Sequence, residues 1–191
     1  MNRSKRRSTL VIIMVIALIF TSGKLYTDYA IRQGEAKYPP LGEFVTVEGV
    51  PLHYLDRGEG QPIVLIHGSD GVLQDFILAG LVDRLAVDYR VLTFDRPGHG
   101  YSGRVPGEPL TVEQNARLIH GGLQALGVED PIVAGHSYGG AVALQYAADY
   151  PDDVAGIVLL AAGVYSGGPN LAFTYHIPDI PVLGPLFMNT L

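Results

Sequence analysis

Apolar positions fall into two regimes along the chain. The first is a charge-free run from Ser8 to Gly23, wholly apolar from Leu10 to Phe20. From residue 43 onward, short apolar segments alternate with stretches of helical period. Glu43 to Val47 and Pro51 to Asp56 are rich in β-formers and flank Glu48-Gly49-Val50, which predicts an antiparallel hairpin. Ile63 to His67 (IVLIH) is continuously apolar, as in a strand buried on both faces. Phe76, Ile77, Leu81 and Leu85 recur at helical spacing over residues 73–86. Arg90 to Phe94 (RVLTF) reads as a strand, and Asp95 to Ser102 as a Gly/Pro-rich loop.

A long helix follows. Thr111 is its N-cap, Gln114 three residues on completes a capping box, and Gly127 suits the left-handed stop. Ala116, Ile119, Leu123 and Leu126 keep one apolar face. Pro131 to Gly135 (PIVAG) predicts a strand, Tyr138 to Asp149 an Ala-rich helix, and Val154 to Ala161 (VAGIVLLA) a further buried strand. Strands alternating with helices at this spacing predict an α/β fold, a mostly parallel sheet with flanking helices, six strands in all. The expected layout is a basic stub and anchor helix over 1–26, a stalk over 27–42, a core over 43–163, and a Gly/Pro-rich segment without clear period over 164–191.

Charge separates the same regions. Residues 1–37 carry seven Lys/Arg against two Asp/Glu, and the rest of the chain is net −11 within an overall −6. So acidic a body excludes nucleic acid as a partner, because phosphate neutralisation needs clustered cations. Arg3, Lys5, Arg6 and Arg7 before the apolar run have the layout of an export signal. Sixteen helical residues span ~24 Å, and letting Lys24 snorkel with Leu25 and Tyr26 added nearly reaches the ~30 Å hydrocarbon thickness. Thr21-Ser22-Gly23 is an imperfect cleavage site, so an uncleaved signal anchor is expected, with the body on the extracytoplasmic side; cleavage would make the body secreted.

Composition narrows the class. With 191 residues, 48% hydrophobic and 17% charged, the chain is long and apolar enough for one real core. It has no cysteine, hence no disulfide framework, thiol nucleophile or Cys-ligated zinc. No metal-ligand cluster is evident, and no cofactor is expected.

The densest chemical signal is Gly135-His136-Ser137-Tyr138-Gly139, where a buried strand meets a small-residue helix. G-x-S-x-G in that context is a nucleophile elbow, whose serine takes a strained backbone to push Oγ clear of the sheet. Gly135 and Gly139 come close to one another there, so side chains at either would clash. The bland alternative is a Gly-rich turn that merely packs or binds a phosphate. The glycine spacing is not G-x-G-x-x-G, and no P-loop lysine is present. His67-Gly68-Ser69-Asp70-Gly71 directly follows a strand, so the Ser69 and Tyr138 backbone N–H groups become the candidate oxyanion hole. Asp95-Arg96-Pro97-Gly98-His99 reads as a structural loop, pinned by an expected Asp95–Arg96 ion pair.

IVLIHG, FDRPGHGYS and GHSYGGAVALQYA, in that order and at those spacings, resemble the α/β-hydrolase superfamily, nearest its esterases, haloperoxidase-like enzymes and carbon–carbon bond hydrolases. The resemblance covers residues 43–163. It implies a serine hydrolase acting by acyl transfer on a small ester-like substrate, with Ser137 as nucleophile. In that family the acid follows the seventh strand and the histidine the eighth. Neither is identified here, and His176 with Asp179 is the only His/acid pair after Ser137 to suggest itself. The chain is therefore expected to be truncated within the lid region, with its last strand an open apolar edge. An inactive relative, a non-catalytic ligand- or partner-binding module, and a nucleotide-binding protein are the competing readings.

Overall fold

The computed structural model describes residues 3–163 apart from Pro109. Helix α1 runs from Arg3 to Lys37 and continues through most of the segment expected to be a stalk. Nothing in 24–37 interrupts it strongly: Gly34 is a lone glycine, and Lys24 pairs with Asp28 one turn on at 3.1 Å. It ends just before Pro39-Pro40, where a missing N–H and a fixed φ forbid further turns. Within it, Leu10–Lys37 contains an 18-residue window of mean hydropathy 2.0, long and apolar enough to cross a membrane.

The body, described by itself, is a six-stranded sheet. Its strands are β1 (Glu43–Val47), β2 (Val50–Arg57), β3 (Pro62–Ile66), β4 (Arg90–Phe94), β5 (Ile132–His136) and β6 (Gly156–Leu160), in the order β1-β2-β4-β3-β5-β6. β1 and β2 form the expected hairpin, and β2 is antiparallel to β4. β4, β3, β5 and β6 are mutually parallel. Successive side chains on a strand face opposite ways, which is why continuous apolar runs serve two cores here. Val64 and Ile66 pack with Leu118, Ile119 and Leu123 of α4 (Val112–Ala125) and with Val142 and Tyr146 of α5 (Tyr138–Asp149). Ile63 and Leu65 face the other way, onto Phe76 of α2 (Gln74–Leu78) and Val82 of α3 (Leu81–Leu85). Each such fully buried aliphatic side chain contributes roughly 2 kcal/mol relative to exposure.

Two local expectations change. The helix over 73–86 is two short ones, because Gly80 adopts φ 66° and stops the first. The capping box of α4 is half formed: Thr111 Oγ1 accepts from the Gln114 N–H at 3.2 Å, but the Gln114 amide donates instead to Glu108 at 2.7 Å. Among the described residues β6 is the outermost strand beside β5, with Ile157 to Leu160 37–43% exposed: the apolar run reads as buried, yet it forms the open edge expected of the last strand.

Candidate active site

β5 delivers the chain to Ser137, which caps α5 with φ 52° and ψ −118°, a conformation that L-residues rarely adopt. Three backbone hydrogen bonds hold it there. The Ser137 N–H donates to the Leu160 carbonyl at 3.0 Å, and its carbonyl accepts from the Gly140 and Gly163 N–H groups, each at 3.0 Å. The end of β6 thus over-determines the strained turn. A Cβ on Gly135 would meet the Gly139 carbonyl, and one on Gly139 would meet the Ile66 carbonyl, so both glycines are needed as the motif implies. Ser137 is half-buried and His136 is exposed. Ser137 also stands at the N-terminus of the 12-residue α5, where the helix dipole favours an anion.

The loop after β3 lies directly against this turn. A Cβ on Gly68 would stand 3.2 Å from Ser137 Cβ and 3.3 Å from His136 Nδ1, so glycine there permits the close approach. Ser69 is exposed and Tyr138 half-buried, one on the loop and one on the first turn of α5. The structure therefore brings together Ser137, Ser69, Tyr138, Gly135 and Gly139. His176 and Asp179 lie outside the described residues.

The Asp95–Arg96 ion pair does not form. Asp95 is fully buried and binds His53, from Nδ1 to Oδ2 at 2.8 Å, while also accepting the Leu73 N–H at 2.8 Å and the Tyr101 N–H at 3.0 Å. His53 Nε2 accepts the Gly42 N–H at 3.2 Å, which leaves Nδ1 to carry the proton. Burial pushes the Asp95 carboxyl up, but the His53 and backbone donors outweigh it and hold it below the ordinary range. Arg96, 2% exposed, turns to neutral acceptors instead. Its Nε donates to the His67 carbonyl at 3.1 Å, its Nη1 to Asn115 Oδ1 at 3.2 Å, and its Nη2 to the Gly68 and Ser69 carbonyls at 2.9 and 3.3 Å. The guanidinium also stands over the Tyr138 ring, 4.7 Å from its centroid. Burial lowers the pKa of Arg96 to about 10, which leaves it charged at neutral pH.

His67 is buried in its neutral form. Nδ1 donates to the Gly68 carbonyl at 2.9 Å and Nε2 accepts the Arg96 N–H at 2.9 Å, so a second proton would meet a donor. Burial first, with the Arg96 and His99 charges adding to it, lowers its pKa from 6.5 to about 4. The unfolded chain takes up this proton earlier as pH falls. The stabilisation is thus complete above about pH 6.5 and lost progressively towards pH 4. It amounts to about 3 kcal/mol. Urea unfolding at pH 7.5 and pH 4 is expected to show a loss of that order, reduced in His67→Gln; an equal loss in the variant would remove His67 as its source.

Arg96, His67 and His53 were not legible as partners. Arg96 and His67 carried one sequence signal, membership of the Gly-rich loops, and His53 only its place in the first hairpin, since pairing between residues 28 to 42 positions apart is decided by the sheet. Among the described residues, no group of three or more His, Asp or Glu is placed to hold a metal ion.

A family model described as alpha/beta hydrolase fold matches residues 61–179, more than half of the chain. The chain belongs to the alpha/beta hydrolase fold family. It is 36% identical over 141 residues to the 2-hydroxy-6-oxononadienedioate/2-hydroxy-6-oxononatrienedioate hydrolase of Paraburkholderia phymatum, covering 72% of this chain and 48% of that protein. It is 34% identical over 151 residues to the dihydrolipoyllysine-residue acetyltransferase component of the acetoin cleaving system of Cupriavidus necator, covering 78% of this chain and 39% of that one. Among solved structures, the meta-cleavage product hydrolase of Pseudomonas fluorescens IP01 superposes with a TM-score of 0.59 at 31% identity, over 63% of this chain and 45% of that one. The chain thus spans less than half the length of these relatives.

Proposed function

We propose that this hydrolase-fold chain carries the nucleophile and oxyanion half of a serine hydrolase acting on an ester-like acyl substrate. The observation that carries the reading is the backbone of Ser137: φ 52° at a strand-to-helix turn, locked by three hydrogen bonds, with the Gly68 loop against it. Ser137 Oγ attacks the acyl carbon, its proton passes to a base, and the carbonyl oxygen becomes an oxyanion between the Ser69 and Tyr138 N–H groups. The alcohol leaves with that proton, and water then frees the acid from Ser137. Among the described residues, no imidazole is hydrogen-bonded to the Ser137 hydroxyl. We place the histidine and acid in the portion of the relatives' length that this chain does not span. Oxyanion hole and binding alone give ~10³–10⁴-fold acceleration over water, which is the activity expected of these residues by themselves.

A fluorophosphonate probe tests this on the purified chain, since Ser137 Oγ displaces fluoride from phosphorus without a second substrate. Slow labelling that maps to Ser137 and disappears in Ser137→Ala is expected. No labelling of cooperatively folded protein would favour the non-catalytic module instead.

We further propose that α1 is an uncleaved membrane anchor with its basic end cytoplasmic and the body extracytoplasmic. Support comes from the four cations at Arg3, Lys5, Arg6 and Arg7 preceding an 18-residue stretch of mean hydropathy 2.0.

A further inference from the structure

Arg96 is a buried cation whose hydrogen bonds all go to neutral groups, which calls for a reason. Burying an unpaired charge is expensive, so a site that keeps one holds it with many oriented acceptors. Here the acceptors are three consecutive carbonyls, those of His67, Gly68 and Ser69, together with Asn115 Oδ1. His99 adds a fourth side: its Nε2 lies 3.0 Å from Arg96 Nη2 and 2.9 Å from the Ser69 carbonyl, and its Nδ1 lies 3.1 Å from the Pro97 carbonyl. The consequence lies in peptide geometry. In a planar trans peptide the C=O and N–H point opposite ways, so holding the Gly68 carbonyl at 2.9 Å turns the Ser69 N–H away from the guanidinium. Gly68 itself abuts Ser137. The same guanidinium lies over the ring of Tyr138, the residue that carries the other amide.

We infer that Arg96 is the positioning residue of the oxyanion hole, clamping the 67–69 carbonyls and the Tyr138 ring so that both amide donors face the reacting centre. The inference rests on Ser137 being the nucleophile. Lysine cannot replace it, because a single ammonium does not span three carbonyls, whereas the planar guanidinium has five donors in a fixed fork. His99 and Asn115 serve by holding the guanidinium, not by touching substrate.

The test measures fluorophosphonate labelling of Ser137 in the wild-type chain, R96Q and R96K, resolving the maximal inactivation rate from the probe's half-saturation concentration. Melting curves confirm that each variant is folded. A positioning role predicts that both variants lose about 10²-fold in maximal rate, the typical effect of one lost oxyanion donor, with half-saturation changed less than threefold. Should R96Q fail to fold, R96K, which keeps a cation, carries the same comparison. A folded variant labelling within twofold of wild type overturns the inference, as does a loss confined to half-saturation. Absence of labelling in the wild type is a different result: it overturns the nucleophile assignment, and the role of Arg96 with it.

Discussion

Ser137→Gly is expected to abolish fluorophosphonate labelling and yet raise stability by about 1 kcal/mol. The two effects share one cause. At φ 52° and ψ −118° the Cβ of Ser137 is held against its own backbone, a strain of roughly 1–3 kcal/mol for a non-glycine residue. Glycine releases it, at the expense of about 0.5–1 kcal/mol of extra chain entropy in the unfolded state. The native turn survives, because it is held by backbone bonds to Leu160, Gly140 and Gly163 that need no side chain. Paired urea-unfolding curves check the sign. A variant destabilised by 1 kcal/mol or more would show that the serine is not strained, and would take away the main support for its role.

Gly139→Ala and Gly135→Ala are expected to be far more damaging, each losing 4 kcal/mol or more. An added Cβ at 139 would press on the Ile66 carbonyl and stand 2.7 Å from that of His67, while at 135 it would press on the Gly139 carbonyl and stand 2.5 Å from the Gly140 nitrogen. All four are backbone atoms of elements packed on both sides, so no side chain can swing away, and relief requires β3, β5 and α5 to separate. Against the 5–15 kcal/mol total of an ordinary domain, such a loss approaches unfolding. Gly156→Ala is the control. Nothing lies within 4 Å of the added methyl group there, and a change within about 0.5 kcal/mol is expected. Urea midpoints of the three variants decide it: a loss below 1 kcal/mol at both 135 and 139 would mean that the elbow is looser than its geometry requires.

How far the chain can be read without coordinates differs by element. Every described strand was visible, β3 to β6 as short apolar runs and β1 and β2 as β-formers flanking a turn, and α5 was placed to the residue. The long helix was marked at both ends, by Thr111 and by Gly127 at φ 64°. The break at Gly80 was hidden, since a helical period passes smoothly over one glycine. Asp95 and Arg96 were paired wrongly, because adjacency in the chain says little about where two loop side chains point. The antiparallel β2–β4 pair sends Asp95 to His53, and the parallel β3–β4 pair sends Arg96 to the carbonyls that follow β3.

By itself the sequence determined the α/β class, the elbow around Ser137 and the glycines it requires, because these depend on local backbone sterics and on hydrophobic period. Tertiary structure alone decided that Gly68 abuts Ser137 and that a buried guanidinium binds three consecutive carbonyls, those of residues 67–69. Those contacts join residues far apart in the chain, and strand order, which no local pattern encodes, is what brings them within hydrogen-bonding distance.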